Sequence, residues 1–579
     1  MTVRTVPATE YGCGCGGPLA AALAVGTAVD GPSVPRRPAP RSSRTTTTVL
    51  TGATVLPVDA AFSEQEAVAV RDGLIVAVGG EDEVLAVAGP DARRADRPGA
   101  VILPGFVEPH AHLLPSALFG PWADVGPFRF PTVDGALAHL SELAAAAGPD
   151  EWVLARQFDP SLQAGPDELT TEQLDRVSST QPVLVLNASL HFAYVNQVAL
   201  DRAGITADTP DIPGSPYGRH PDGRPDGVLR GQPAMISVLA HRPGMGDLDL
   251  VGAALDVVAR ANSVGVTTIC DQGTGGVLGT GDLDVYAAMA ASGRLTTRLR
   301  YSLIDLRAED WDTHGVAPGD GDALVRATGW KIISDGSNQG RTGRLREPYL
   351  GRDDCGIRYV EPDDLAEKAR RRAGEGWQVV VHANGDAAID TVLEAMTTTG
   401  AAPGPGRHRI EHCSLLHDDQ VQAVAALGLS PSFLIGHVGW WGRAFRDQIL
   451  GPERTELLDR AGACERAGIP WTIHSDELVT PMDPLRCIGQ AVSRRLAADP
   501  GTVLAPQECV PVEAAIRAMT SVAAWQCHSD HEVGTLEPGK RADLVVLADD
   551  PRRVDPEAIA DIEVLETWFD GEPVHRAGG

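Results

Sequence analysis

Lysine is nearly missing from this chain: Lys331, Lys368 and Lys540 are the only three among 49 basic residues in a sequence of 579. Arginine does the ordinary work of positive charge. A position that keeps lysine keeps what guanidinium lacks, a primary amine that can lose its proton on burial and react, for instance with carbon dioxide to give a carbamate. Positive charge is also scarce overall. Seventy-eight acidic residues set the formal charge at −29 and the pI near 4.9, a field that repels nucleic acid and anionic lipid and leaves small-molecule chemistry as the better fit. No stretch reaches the roughly 20 apolar residues of a membrane helix. The nine cysteines, scattered from Cys13 to Cys527, show no finger-like pairs, and Cys13-Gly-Cys15 is too close and isolated to hold zinc by itself. Reduced thiols and a cytoplasmic protein are the expectation. Residues 19–29 have the length of a signal-peptide core. Only Arg4 precedes them, however, with Glu10 and four glycines intervening, so residues 1–47 read as a disordered extension, with secretion left open.

What is present is a globular composition, 43% apolar and 22% charged, large enough for one barrel with additions. Short apolar runs at 101–103, 152–155, 183–186, 267–270, 299–303, 331–333, 378–382, 407–411, 431–435 and 471–474 read as buried strands. Helical periodicity fills 252–264, 363–373 and 386–396. Repeated strand-helix units predict an α/β fold with a closed (β/α)8 TIM-like barrel, whose chemistry belongs at the C-terminal ends of its strands. The two chain ends differ in texture. Asp72-Gly73 and Asp570-Gly571 each sit between apolar runs, a hairpin signal, and predict a small β-sandwich domain formed by both termini with the barrel inserted between them. The expected division is 48–100 and 534–579 for the β domain and 101–533 for the barrel, with an insertion near 202–233 that covers its mouth.

The chemistry gathers at predicted strand ends. His110 and His112 alternate in an extended segment and point the same way. His382, His412 and Asp476 each end a separate strand, and Lys331 opens Lys331-Ile-Ile-Ser-Asp-Gly-Ser337. Nitrogen and oxygen donors of this kind suit a divalent first-row ion, and zinc is common where hydrolysis is required.

Taken with Pro104–His112, Asn187–Leu200, Gly265–Thr268, His382–Asp386, Glu411-His412, His474-Ser475-Asp476 and Gly534–Leu544, these residues resemble the amidohydrolase superfamily. Within it they resemble the branch that includes N-substituted formamide deformylases. The resemblance runs from about Thr48 to His575. It implies that His110, His112 and Asp476 bind one divalent metal, that His382 and His412 bind a second, and that Lys331, N6-carboxylated, bridges two zinc ions. It further implies hydrolysis of a non-peptide carbon–nitrogen bond by metal-activated hydroxide, with Asp476 as general base and then general acid. One departure is Glu108, where the family commonly places aspartate.

Substrate-binding candidates are His191, His437, Trp440, Trp441 and Arg341. The tryptophans serve equally as an aromatic wall or as core, and Arg341 and Arg344 as substrate contacts or surface ion pairs. Asn338 and Gln339 are further hydrogen-bonding candidates. Cys270 and Cys413 read as small buried residues and Lys540 as structural. An N-formyl or N-acyl amine is the expected substrate; the same ligand set also suits a cyclic amide, carbamate, ester or ring deamination. A barrel that has lost catalysis and serves in binding or assembly is the non-enzymatic alternative, and the complete ligand set argues against it. The expected partner is a small molecule, and the size is compatible with a homodimer.

Overall fold

The computed structural model describes residues 47–578, apart from 167, 191, 213–214, 244–247, 400–403 and 405. The expected N-terminal extension therefore lies, but for Thr47, outside the described residues, as does His191.

Eight parallel strands form the barrel: Phe106–Ala111, Val266–Thr274, Arg298–Ile304, Val325–Ile333, Gln378–Ala383, Arg409–His412, Ser430–Phe433 and Thr472–Ile473, each paired with the next in chain order. A parallel bridge between Ala111 and Glu477 joins the last strand end to the first, where the His112 N–H donates to the Glu477 carbonyl at 2.9 Å. Most strand residues are buried because helices pack outside and side chains fill the inside, which is why these segments read as continuous apolar runs. One barrel helix shows a clear start signal. Leu250–Ser263 is capped by Asp249, whose carboxylate accepts from the Gly252 N–H at 2.8 Å, and it turns Leu250, Ala254, Leu255, Val258 and Ala261 inward.

Both chain ends build the β domain. Thr54–Val55 and Val101–Pro104 pair in one five-stranded sheet with Leu544–Leu547, Val564–Phe569 and Glu572–Arg576, while Thr48–Thr51, Ala67–Arg71, Leu74–Gly79 and Arg93–Asp96 form a second sheet. Leu50, Val68, Ile75, Ile102, Leu544 and Trp568 bury one sheet against the other. Both Asp-Gly pairs turn hairpins with positive φ at each residue, 53° and 78° at Asp72-Gly73 and 47° and 79° at Asp570-Gly571.

Three strand expectations are corrected. Residues 101–103 belong to the β domain, not the barrel, and the first barrel strand is the next segment, Phe106–Ala111. The runs at 152–155 and 183–186 are also outside the barrel. Val153–Phe158 and Val183–Asn187 lie in a separate six-stranded sheet with Ala123–Asp124, Phe192–Val195, Tyr217–Arg219 and Pro225–Arg230. A buried parallel strand looks the same in sequence whichever sheet takes it, so periodicity alone did not separate them. Tyr217–Arg219 and Pro225–Arg230 fall within the stretch expected as a surface excursion. One of its glycines is required by strand pairing: Gly227 has φ 91°, and a Cβ there would stand 2.4 Å from the Val195 carbonyl oxygen.

This sheet packs on the C-terminal rim of the barrel. Trp441 Nε1 donates to Asp159 Oδ2 at 2.8 Å, Gln157 Nε2 donates to the Leu478 carbonyl, and Leu190 joins Leu478 in one apolar cluster.

Candidate active site

The first barrel strand ends at His110 and Ala111, and its neighbours around the rim bring Lys331, His382, His412 and Asp476 to the same cavity. His110 Nε2 and His112 Nε2 stand 3.4 and 3.1 Å from Asp476 Oδ1, and His412 Nδ1 stands 3.9 Å from Asp476 Oδ2. His110, His112 and Asp476 each offer a donor atom within 4.8 Å of the others, the spacing of ligands around one ion. The His382 and His412 rings are 4.5 Å apart, centroid to centroid. His382 Nε2 lies 3.0 Å from the Gly336 carbonyl oxygen and 3.1 Å from Asn384 Nδ2.

The electrostatics favour ligating forms. Burial, then the nearby Lys331 amine, holds the His110 imidazole well below its usual range. Burial, then His382 and His110, does the same to His412. Both are therefore neutral at pH 7, as metal ligands must be. Burial acts on Asp476 in the raising direction, but the His110 and His112 imidazoles outweigh it and hold the carboxyl well below the carboxylate range. His112 is shifted up: burial is outweighed by its hydrogen bond to Asp476 and the charges of Asp476 and Asp271.

Lys331 is the most telling residue. It is 1% exposed, and Nζ has no hydrogen-bond partner among the described residues. The other two lysines are satisfied. Lys368 pairs with Asp305, and Lys540 Nζ donates to Thr535 Oγ1 at 2.6 Å. An ammonium buried without an acceptor, facing imidazoles, is costly. Carboxylated, the same side chain would offer two oxygens to cations, so the donor set fits a divalent metal centre.

Supporting residues hold the ligands. Glu411 receives both Nε and Nη2 of Arg409, at 2.7 and 3.0 Å, and its Oε2 pairs with His110 Nδ1, fixing that ring. Glu108 is not turned into the cavity. Its carboxylate accepts from the Ser475 hydroxyl at 2.8 Å and the Ser475 N–H at 3.2 Å, tying the first barrel strand to the loop that carries Asp476, and burial pushes its carboxyl up to about 8.

The substrate-binding candidates separate. His437 and Gln339 line the cavity, with Ser337, Asn384, Leu434 and Val479. Trp441 is buried and holds Asp159; Trp440 is half-buried, its ring 4.1 Å from Phe128. Arg341 Nη2 donates to the Gln448 carbonyl at 3.4 Å, and Asn338 bonds the Asn384 carbonyl at 3.0 Å, so both spend donors on the surrounding backbone. Cys413 is fully buried, and burial pushes its thiol well up, away from nucleophilic use.

Sequence reasoning passed over His474, Leu190 and Ser189. His474 Nε2 lies 3.3 Å from His412 Nδ1, and with His110 and His412 it forms a second group of donors. The signal was available in the His474-Ser475-Asp476 spacing, although Asp476 stands in the turn after the strand with φ 53°. Ser189 and Leu190 reach the cavity from the six-stranded sheet, and no local pattern marks them.

A family model of the Amidohydrolase family matches residues 96–575. The chain belongs to the Amidohydrolase family. As an amidohydrolase it is a hydrolase of carbon–nitrogen bonds. It is 28% identical over 530 residues to the putative amidohydrolase YtcJ of Bacillus subtilis, covering 88% of this chain and 96% of that protein. It is likewise 28% identical over 542 residues to the N-substituted formamide deformylase of Arthrobacter pascens, covering 90% and 97%. Among solved structures, an uncharacterized metal-dependent hydrolase from Pyrococcus horikoshii superposes with a TM-score of 0.70 at 19% identity, over 88% of this chain and 99% of the other, a likeness of fold.

Proposed function

We propose that this amidohydrolase cleaves a non-peptide, amide-like carbon–nitrogen bond in an N-formyl or N-acyl amine. His110, His112 and Asp476 would hold one divalent ion, His382 and His412 a second, and carboxylated Lys331 would join them. Zinc is the ion this nitrogen-rich set favours. A bound ion supplies a Lewis acid for the carbonyl oxygen and lowers the pKa of water from about 15.7 to about 7.

The protein's own groups do the rest. Asp476, beside His110 and His112, takes the proton of the attacking water on a carboxylate oxygen and then delivers it to the departing nitrogen, which must be protonated to leave. Glu411 keeps the His110 ring in place throughout, and Leu190, Leu434 and Val479 supply the apolar part of the cavity wall. The resemblance to a formamide deformylase over 90% of the chain supports the substrate class.

The observation that carries the reading is Lys331 Nζ, buried and without a hydrogen-bond acceptor among the described residues in a cavity lined by five histidines. The test is metal per chain in protein produced with zinc and bicarbonate, for the parent and for Lys331→Ala. Nearly two ions falling to one or none, with loss of amide hydrolysis, is the expected result. A single ion unaffected by the substitution would overturn the bridged centre and leave Lys331 a structural role.

A further inference from the structure

His437 is held by a chain of hydrogen bonds that sets its tautomer. Asn384 Nδ2 donates to the Gly336 carbonyl at 2.8 Å, which orients the amide so that Asn384 Oδ1 accepts from the Ser414 hydroxyl at 2.7 Å. Ser414 has one proton, and it is committed. Toward its other neighbour, His437 Nδ1 at 3.2 Å, the Ser414 oxygen can only accept. Asp459 Oδ1, 3.8 Å from the same nitrogen, favours a proton there as well. The neutral imidazole therefore carries hydrogen on Nδ1 and a bare lone pair on Nε2.

That lone pair has no partner among the described residues, and Nε2 is buried although His437 lines the same cavity as Lys331 and the candidate ligands. Both oxygens of Asp459 are likewise buried without hydrogen bonds, in a residue 0% exposed. Asp459 stands behind the imidazole, on the side of Nδ1. The group missing from the arrangement is a hydrogen-bond donor. In an amide substrate the donor next to the reacting carbon is the N–H of a singly substituted nitrogen.

Resting on the amide reading above, we propose that His437 Nε2 accepts the N–H of the scissile amide, with Ser414 and Asp459 as positioning residues. The protein then selects N-monosubstituted amides over esters and N,N-disubstituted amides of the same shape. An ester sets an oxygen lone pair against the Nε2 lone pair, and a second substituent on nitrogen removes the hydrogen altogether. A site built around one hydrogen bond rejects analogues that lack it because its own buried group stays unpaired.

The test compares kcat/KM of the metal-loaded protein on N-benzylformamide, N-benzyl-N-methylformamide and benzyl formate, for the parent and for His437→Leu, His437→Gln and Asp459→Asn. The parent is expected to prefer the first substrate. His437→Leu should lower activity on it by roughly 10- to 100-fold and leave the other two unchanged. His437→Gln, whose amide oxygen accepts, should keep part of the preference, and Asp459→Asn should raise KM for the secondary formamide alone, at unchanged metal content. If His437→Leu loses metal, the Gln and Asn variants decide. An equal fall on all three substrates, or a parent without preference, overturns the role of His437. A parent active on the ester alone overturns the amide reading itself, a result visible before any substitution.

Discussion

Glu411 shows how much one side chain settles. It is buried between Arg409, which it receives bidentately, and the His110 imidazole, so its charge is offset on one side and orients a ligand on the other. Replacing it with Gln keeps the shape and removes the charge that fixes the His110 tautomer. Metal affinity is expected to fall about 10- to 100-fold, read by competition against a chromogenic chelator. Affinity equal to the parent's would show that Arg409 and the backbone hold His110 without it. Lys331 belongs to the same scale: its scarcity marked it in the sequence, and its burial without an acceptor is what the structure adds.

At the scale of elements, the six-stranded sheet is joined to the barrel rim through few polar contacts, of which the Trp441–Asp159 hydrogen bond is fully buried. Trp441, for which aromatic wall and core were equal readings, fastens the sheet that delivers Ser189 and Leu190 to the cavity. Trp441→Phe keeps an aromatic ring of smaller volume and deletes the N–H. Chemical unfolding should report a loss of about 1.5–3 kcal/mol, the worth of a hydrogen bond to a charged group. A curve superimposable on the parent's would mean that apolar packing around Leu190 and Leu478 carries the junction.

For the whole molecule, the candidate ligands come from the first, fifth and sixth barrel strands and the loop after the eighth, with Lys331 on the fourth. An ion bound among them therefore stabilises the closed barrel and not the unfolded chain. At a free concentration 100 times Kd the gain is about 2.7 kcal/mol. Dialysis against a chelator should lower the melting temperature, and returning zinc should restore it. A melting temperature indifferent to both would argue against a resident metal. No helix among the described residues is long and apolar enough to cross a membrane.

Local chemistry was readable from residue types alone. The alternation of His110 and His112, the isolation of Lys331, the Asp-Gly turns and the apolar strand runs depend on neighbours in the chain, and they predicted the barrel, the two-ended β domain and a group of donors at strand ends. Tertiary structure decided whatever depends on distant partners. It determined which sheet takes residues 153–158 and 183–187, since buried parallel strands are alike in sequence. It brought Glu411 to His110 across 301 residues and Asp159 to Trp441 across 282. Only the folded chain sets a serine proton against an asparagine and so turns the lone pair of His437 outward. Periodicity encodes what faces inward; it carries no information about which inward-facing groups meet.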